Sequence, residues 1–292
     1  MPEEKLAPGL YLVGTPLGNL EDITLRALRV LKEADLIACE DTRETEKLLE
    51  HYHIKTLTIS YHEHNEASRA VELADKLSQG VRIAVVSDRG MPGISDPGFR
   101  LVSLAVERGI RVVPVPGPSA FVAALVASGL PLHSFAFRGF LPAKRGERLR
   151  ALGEFCHSAA TQILYEAPHR ILELLEDAVS VLGGNRRAVL ARELTKVHEE
   201  FLRGSLDQVR ATVKARGGVK GEITLLIGPA LEGEEQETTI SIPERVRQIT
   251  AQEGLEERAA LKKVAKERGL SKSEIYRQLQ RGKTVKRDQN SG

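Results

Sequence analysis

The sequence has little of what disulfide-bonded, zinc-binding and membrane proteins need. Of its 292 residues two are cysteine, and Cys39 and Cys156 lie far apart without CxxC spacing, which argues against a disulfide framework and a zinc site. No apolar run is long enough to cross a bilayer, and the amino end, MPEEKLAPG, lacks the apolar core of a signal peptide. We therefore expect a cytoplasmic protein without membrane association, with both cysteines buried as small hydrophobic residues.

What is present is the composition of a globular protein with an uneven distribution of charge. Hydrophobic residues make up 41% of the chain and charged residues 28%, and the length allows one large or two medium domains, of which we favour two. The formal net charge is +2, yet eleven Lys or Arg stand against two Glu between residues 258 and 287. This basic end is compatible with a polyanionic partner and equally with a solvated helical face.

The stretch that most strongly indicates a ligand site is VRIAVVSDRGMPGISDPG, from Val81 to Gly98. Its β-branched start predicts a strand covered on both faces, as in a parallel sheet. The twelve residues that follow contain three Gly and two Pro, so this loop is both bent and stiff. Because it follows a strand, it is expected at the sheet edge where open α/β sheets bind ligands.

Strand and helix patterns alternate along most of the chain, which predicts an α/β fold. Strands are predicted at 10–13, 36–40, 57–60, 81–86, 111–115, 162–165, 188–191, 198–203 and 222–227, with helices between most of them. The stretch Phe135–Pro142 has the composition of a crossing between domains. The predicted division is an N-terminal α/β domain over 1–130, a second α/β domain over 131–231, an acidic linker over 232–240 and a basic helical region over 241–292.

Three helices are predicted in the basic region, at 243–253, 257–268 and 272–279. The last two, joined by Gly269-Leu-Ser271, have the outline of a helix-turn-helix, which a small helical bundle explains equally well.

Other predicted strand ends also carry polar or glycine-rich loops. The first loop is GTPLGN, which follows Val13. It lacks the Lys-Ser/Thr ending of a P-loop and the GxGxxG order of a dinucleotide-binding fingerprint, so neither ATP nor NAD is favoured. Ser119 in PGPSA is placed to cap a helix whose amides can receive an electronegative group. The loop YHEHNE, at residues 61–66, carries two His without a Cys or paired acidic cluster, so contact with a polar substrate is favoured over a metal.

Seven segments occur in a characteristic order and spacing: GTPLGNLEDITLRAL, ACEDTR, SDRGMPGISDPG, PVPGPSA, LYEAPHR, ARELTK and GEITLLIG. Together they resemble the ribosomal RNA small subunit methyltransferase I family, a branch of the tetrapyrrole methylase fold, over about Leu10–Gly228. The resemblance implies two α/β domains with S-adenosylmethionine in the cleft between them, and a homodimer. It also implies methylation of the ribose 2′-hydroxyl of a decoding-region cytidine in 16S rRNA, within free rRNA or the small ribosomal subunit.

The resemblance further implies which residues contact the methyl donor. Carried over by position, these are Pro16, Gly90, Met91, Ile94, Ser119, Ala120, Tyr165 and Thr224. The family loop is usually SDAGTP, so Arg89 and Met91 depart from it, and Met91 cannot supply a threonine hydroxyl. Contacts made by the loop backbone would survive this change.

Methyl transfer to a ribose requires alignment of oxygen, methyl carbon and sulfur with water excluded, and it demands no metal. The candidates for accepting the hydroxyl proton or orienting a lone pair are Asp88, Asp41, Glu166 and Lys196. The residues expected to face phosphate, ribose or base are Arg43, His64, Asn65, His169, Arg170 and Arg192. For each polar position the alternative is a helix cap or a salt bridge at a domain interface.

Two other functions stay open at the level of sequence. One is methylation of a tetrapyrrole precursor by the same fold, against which the polar loops and the basic tail argue, because a small macrocycle needs no polyanion-binding surface. The other is a non-catalytic nucleic-acid binder led by the C-terminal helices.

Overall fold

The computed structural model describes residues 6–230 and 242–267, which form two five-stranded sheets with their helices and a separate helical pair. The first half comprises β1 Gly9–Val13, α1 Leu25–Glu33, β2 Leu36–Cys39, α2 Thr42–His51, β3 Thr58–Ser60, α3 Glu66–Ser78, β4 Arg82–Val85, α4 Phe99–Glu107, β5 Val112–Val115 and α5 Ala120–Ser128. These elements match the predicted strands and helices to within a few residues.

The first sheet is parallel throughout, with the strand order β3-β2-β4-β1-β5. Ile83 and Val85 of β4 join one apolar cluster with Leu73 and Leu101, whereas Ala84 joins a second cluster on the opposite side. The prediction of a central strand covered on both faces is therefore confirmed. Since every strand runs in the same direction, all the loops that follow the strands gather at one edge.

The second half builds a mixed sheet in the order β6-β7-β10-β8-β9. Its elements are β6 Phe135–Phe140, α6 Arg145–Gly153, β7 Thr161–Glu166, α7 Ile171–Leu182, β8 Arg187–Arg192, β9 Glu200–Ser205, α8 Leu206–Ala215 and β10 Ile223–Ile227. β6 and β7 are parallel, while the other neighbours are antiparallel. All five residues of β10 are buried, so this strand is the centre of the second sheet.

Helix α5 connects the two halves. Ala124 and Leu125 of this helix share an apolar cluster with Ile163, Val189 and Leu226 of the second sheet. The helix therefore follows the last strand of the first sheet but packs on the second, and the division near residue 131 stays an interpretation.

The stretch Phe135–Pro142 is not the crossing that we expected, because Phe135–Phe140 forms the edge strand β6. A register shift between Phe137 and Gly139 breaks the period-two pattern of this strand, and Phe140 is 54% exposed. Helix α6 was not predicted either, since its buried positions are Arg148 and Leu152 and so lack an apolar repeat. Cys39 is buried as expected, whereas Cys156 is only half-buried.

Two of the predicted C-terminal helices are present as α9, Ile242–Glu253, and α10, Glu257–Glu267. They pack together through an apolar cluster that includes Val246, Ile249 and Val264. The predicted linker and the predicted third helix, and with it the helix-turn-helix, lie outside the described residues. Within the described part of the chain, no helix combines the length and apolarity needed to span a membrane.

Candidate active site

A cavity of about 540 Å³ lies between the carboxyl-end loops of the first sheet and the strands β6, β7 and β10 of the second. The first half contributes residues of the loops after β1, β2, β4 and β5. The second half contributes Phe140, Tyr165–Pro168, Leu194 and Gly221–Thr224. The ligand edge predicted from the parallel sheet is therefore the floor of a cavity that the second sheet covers.

The glycine-proline loop after β4 provides much of the cavity wall, through Asp88–Met91 and Ile94–Asp96. Gly90 has a φ of +85°, and it exchanges two backbone hydrogen bonds with Thr15, of 2.9 and 3.1 Å. Ser95 also has a positive φ, +62°, which is uncommon for a residue other than glycine and marks a sharply bent turn. The loop is thus bent as predicted and is fixed to the loop after β1.

One end of the cavity is apolar and aromatic. The Tyr165 ring makes edge contacts with Phe137 and Phe140, at centroid distances of 4.9 and 5.9 Å. Its hydroxyl oxygen accepts a hydrogen bond of 3.3 Å from the backbone N–H of Phe121 in the first turn of α5. This contact joins the second sheet to a helix of the first half and gives the cavity a wall suited to a flat ring.

The remaining lining is acidic. Five carboxylates contribute to the cavity: Glu40, Asp88, Asp96, Glu166 and Glu222. Burial, followed by the negative charge of Glu40, raises the pKa of Asp96 to about 7. Burial and the charge of Asp88 likewise raise the pKa of Glu40, and burial raises that of Asp88. Carboxylates crowded in this way favour a positively charged ligand.

The basic side chain among the lining residues is Arg89, which forms an ion pair with Glu222 at the start of β10. Glu222 also accepts from Lys196 Nζ over 3.1 Å. With its cation already paired, the cavity retains a net negative lining, which is unfavourable for phosphate groups.

Seven of the eight residues predicted to contact the methyl donor line the cavity. They are Gly90, Met91, Ile94, Ser119, Ala120, Tyr165 and Thr224. Pro16 is buried directly before the lining residue Leu17. Ser119 is the N-cap residue of α5, but its side chain makes no capping hydrogen bond. The roles of these residues in binding stay predictions.

Of the four candidate proton acceptors, Asp88 and Glu166 line the cavity and the other two do not. Asp41 caps α2, accepting from the Arg43 N–H over 2.9 Å, and Lys196 pairs with Glu193 over 2.8 Å. The alternative that we gave was a helix cap or a salt bridge at a domain interface. Asp41 makes such a cap, whereas the salt bridge between Lys196 and Glu193 lies within the second half. The side chain of Glu166 is fully buried, and its Oε2 has no hydrogen-bond partner within the described residues.

None of the six predicted substrate contacts lines the cavity. His64 and His169 are exposed, and the Arg43 side chain is 85% exposed beside Asp41. Arg170 and Arg192 pair with Glu166 and Glu200 respectively. Asn65 joins its own loop, because its side chain accepts from the His62 N–H and donates to the Ser60 carbonyl. The described residues contain no group of three or more His, Cys, Asp or Glu placed to hold a metal ion.

Sequence reasoning missed three of the five lining carboxylates, namely Glu222 of the second half and two residues of the first half, Glu40 and Asp96. Both lay inside segments already singled out, Glu40 in ACEDTR and Asp96 in the central loop. The available signal was position, since each follows a strand of a parallel sheet on the ligand edge. The high pKa of Asp96 could not be anticipated, because it depends on burial between distant segments.

The two sheets and the cavity between them belong to a known family of methyltransferases. A family model described as Tetrapyrrole (Corrin/Porphyrin) Methylases matches residues 9–210. Among solved structures, uroporphyrin-III-C-methyltransferase from Thermus thermophilus matches with a TM-score of 0.52 at 21% identity, covering 76% of this chain and 92% of that one. Diphthine synthase matches with a TM-score of 0.57 at 15% identity, covering 75% and 89%. At these identities the likeness concerns the fold alone.

Sequence relatives specify the branch. A protein named ribosomal RNA small subunit methyltransferase I, from Halalkalibacterium halodurans, is 49% identical over 271 residues, which covers 91% of this chain and 93% of the relative. A protein of the same name from Vibrio cholerae is 47% identical over 272 residues, covering 93% and 94%. The chain belongs to the ribosomal RNA small subunit methyltransferase I family, and the resemblance stated from seven segments is confirmed.

Proposed function

We propose that this protein transfers a methyl group from S-adenosylmethionine to the ribose 2′-hydroxyl of a decoding-region cytidine in 16S rRNA. The observation that carries the proposal is the lining of the cavity, which joins an aromatic wall to an excess of carboxylates. The relatives are named as methyltransferases of small-subunit ribosomal RNA, which supports the same substrate class for this chain.

The cavity fits the donor in its size and in the distribution of polar groups. A volume of about 540 Å³ lies within the range of small-molecule sites. Tyr165, Phe140 and Ile94 would cover the adenine ring, while the carboxylates of Glu40, Asp88 and Asp96 would balance a sulfonium and an ammonium group. Ser119 and Ala120, at the amino end of α5, would present backbone amides to the donor carboxylate.

When bound, the donor supplies an electrophilic methyl carbon on a positively charged sulfur. The stiff loop around Gly90 holds one side of the cavity in a fixed shape, and residues of the second sheet line the opposite side. Binding and orientation of the two reactants are the main requirements of such a displacement, because a well-placed pair avoids much of the entropic cost of encounter. A carboxylate at the cavity would accept the proton that the ribose hydroxyl releases.

Recognition of RNA would fall to exposed cations near the cavity. The loop Leu141–Lys144 lies close to the lining residues Tyr165–Pro168. The link is Arg170, which follows these residues and whose Nη2 donates to the Leu141 carbonyl over 3.0 Å. The side chains of Lys144 and Arg145 are 83% and 72% exposed in this region. Arg43 is exposed on the first-sheet side. Phosphate contacts of this kind position a nucleic acid without reading its sequence.

The decisive experiment combines donor binding with mapping of the product. Isothermal calorimetry should detect binding of S-adenosylmethionine to the purified protein. Mass mapping of 16S rRNA after incubation with labelled donor should then place one methyl group on a ribose of the decoding region, with free rRNA and small subunits tested in parallel. Binding without rRNA methylation, together with methylation of a tetrapyrrole precursor, would favour the other branch of the fold. No binding would indicate a nucleic-acid binder.

We further propose that the protein acts in the cytoplasm, where its substrate is found, and that it is a homodimer. Light scattering after gel filtration tests the second point, with twice the mass of the 32.1 kDa chain expected. A monomer at all concentrations would contradict it.

A further inference from the structure

The loop after β1 and the turn between β8 and β9 meet at one side of the cavity. Leu17 of the loop and Leu194 of the turn both line the cavity, and they belong to one buried apolar cluster. Beside them, the backbone N–H of Asn19 donates to the Thr195 hydroxyl oxygen over 3.1 Å. The two halves of the molecule are therefore joined here by an apolar contact and by a hydrogen bond.

Lys196 lies at the centre of this junction. Its side chain covers Gly18, because a Cβ atom built on Gly18 would fall among the Lys196 side-chain carbons. The Nζ of Lys196 donates to Glu193 Oε1 over 2.8 Å and to Glu222 Oε2 over 3.1 Å. Glu222 lines the cavity directly before β10, and it also pairs with Arg89 of the loop after β4. One side chain thus contacts three segments that line the cavity and reaches a fourth through Glu222.

The turn carries backbone strain at two of its residues. Glu193 has a φ of +51° and Thr195 a φ of +63°, in the left-handed region that β-branched residues such as threonine rarely adopt. Such conformations persist only where surrounding contacts hold them, and they cluster at functional sites. Here the Thr195 N–H donates to Glu199 Oε2 over 2.7 Å. Glu193 Oε1 accepts a further hydrogen bond, of 3.0 Å, from the Glu222 N–H. The strain indicates that this turn does more than connect two strands.

We propose that Lys196 is a positioning residue for methyl transfer, which sets the separation of the two cavity walls between which the reactants are aligned. The inference rests on the proposed function, in which the donor contacts both halves of the molecule. Lys196 does not itself line the cavity, so it acts through Leu17, Leu194 and Glu222, which do. Displacement at a methyl carbon depends on alignment, and a misplacement of about 1 Å can slow a reaction about 100-fold. Loss of this support should therefore slow methyl transfer more than it weakens donor binding.

Two other roles for Lys196 fit its contacts less well. A proton acceptor has to touch the ribose hydroxyl, yet Lys196 lies outside the cavity lining and two carboxylates already accept from its Nζ. A phosphate contact has to be accessible, yet the Lys196 side chain is 20% exposed. The side chain of Lys144, which we assign to RNA recognition, is 83% exposed. The contacts of Lys196 are therefore those of a support between the halves.

The first test compares Lys196→Met with wild-type protein in methyl transfer to 16S rRNA. Methionine keeps an unbranched side chain over Gly18 but loses both ion pairs. We expect the single-turnover rate at saturating donor and rRNA to fall by about tenfold or more, with donor affinity by calorimetry within about threefold. Lys76→Met is the control, because Lys76 is an exposed cation on α3 that pairs with Glu72, and it should match wild type.

Two results for Lys196→Met would overturn the inference. One is a saturating rate equal to that of wild type. The other is a higher KM for rRNA with a shallower salt dependence at an unchanged saturating rate, which would make Lys196 a phosphate contact.

A second test uses the contact between Gly18 and Lys196. Gly18→Ala should also slow methyl transfer, because the added methyl group displaces the Lys196 side chain from its two carboxylates. Lys196→Ala removes that side chain, so adding Gly18→Ala to it should slow the reaction no further. Gly153→Ala is the matched control, since its Cβ meets nothing within 4 Å. If Gly18→Ala slows Lys196→Ala by the same factor as it slows wild type, the two residues act independently and the inference is wrong.

If Lys196→Met does not fold, Thr195→Gly provides the test. Glycine relieves the strained φ, so urea unfolding should need an equal or higher urea concentration than in wild type. Loss of the hydroxyl that accepts from Asn19 should nevertheless lower the saturating rate by about threefold or more. A turn that served stability alone would give the opposite result, a rate equal to that of wild type, and this would overturn the inference.

The failure of this inference is distinguishable from that of the proposed function. If wild-type protein binds no donor or leaves 16S rRNA unmethylated, the proposed function is wrong. If wild-type protein methylates the ribose and Lys196→Met does so equally well, only the role of Lys196 is wrong.

Discussion

Gly14 and Gly117 are in contact through their backbones, with no space for a side chain on either. A Cβ atom at Gly14 would lie 2.7 Å from the Cα of Gly117, and one at Gly117 would lie 2.8 Å from the Cα of Gly14. The two residues belong to the loops after β1 and β5, and the loop after β5 carries the cavity residues Ser119 and Ala120. This contact therefore sets the distance between two walls of the cavity.

Gly14→Ala should separate these two loops. We expect the unfolding free energy to fall by about 1–3 kcal/mol, because the added methyl group meets the Gly117 backbone, which cannot move aside as the Met91 side chain can. Donor affinity should fall with it, which calorimetry measures alongside urea unfolding. Gly146→Ala is the matched control, since its Cβ meets nothing within 4 Å and the residue lies in α6. Equal donor affinity in both variants would show that the Gly14 contact does not shape the cavity.

The first sheet and its central loop could be predicted because their signals are local. Ile83 and Val85 give an apolar strand, and Gly90, Gly93 and Gly98 all take the positive φ that the bent loop required. The edge strand β6 could not be predicted, because the bulge at Gly139 interrupts the alternation of inward and outward side chains along the strand. Helix α6 was missed because its buried Arg148 is neutralised by Asp177, over 2.8 Å, and this partner is distant in sequence.

The site was predictable as a region but not as a set of chemical roles. Resemblance placed Met91, Tyr165 and Thr224 near one another, and all three line the cavity. The raised pKa of Asp96 depends on burial and on the charge of Glu40, and sequence spacing reveals neither. Polar residues such as Asp41 and Lys196 were candidates by type, yet local caps and ion pairs determine their contacts.

Asp96→Asn should stabilise the protein at neutral and higher pH. The pKa of Asp96 rises from an ordinary 3.8 to about 7 on folding, so between these values the folded protein holds a proton that the unfolded chain has released. Stability therefore falls as pH rises through this window. After allowance for solvent screening at the cavity mouth, the variant should gain about 1–2 kcal/mol at pH 8 and almost nothing near pH 4.

Urea unfolding of both proteins at pH 4, 6 and 8 measures this difference, with Glu72→Gln as the surface control. A constant difference across the three pH values would mean that Asp96 titrates alike in the folded and unfolded states.

Arg89→Ala should have only a small effect. Arg89 stands where the family loop usually has Ala, and it joins this loop to Glu222 of the second half. Both side chains are largely exposed, so the pair should contribute less than about 1 kcal/mol to stability, and donor affinity should change by less than about threefold. Urea unfolding at low and at high salt checks this, because the difference should vanish when the charges are screened. A larger, salt-independent loss would indicate that Arg89 acts by packing.

Arg43→Ala should lower rRNA methylation while leaving donor affinity nearly unchanged. Its side chain is exposed, pairs with Asp41 over 3.3 Å and does not line the cavity. The role that we propose for it is a contact with RNA phosphate, and the pairing with Asp41 is the alternative that this variant tests. Calorimetry with the donor and initial rates with rRNA separate the two effects. Lys47→Ala is the control, because Lys47 is an exposed cation on the same helix that is paired with Glu44. If donor affinity falls as much as turnover, Arg43 supports the cavity and does not contact RNA.

Deletion of the residues after Glu237 should weaken rRNA binding and leave the two sheets intact. Helices α9 and α10 form their own apolar cluster, separate from the clusters that cover the two sheets, so their removal exposes no core of either sheet. The deletion removes the basic segment between residues 258 and 287, so rRNA affinity should fall and should depend less steeply on salt. The midpoint of the main unfolding transition and the donor affinity should both equal those of the full-length chain.

A double variant, Arg258→Gln with Lys262→Gln, separates charge from bulk, since both residues are exposed on α10. Its salt dependence should lie between those of the full-length and the truncated protein, because each neutralised cation reduces the number of counterions released from RNA. Salt dependences that coincide for all three proteins would show that the C-terminal region makes no ionic contact with rRNA, and the exposed cations around the cavity would then have to supply the whole of the interaction.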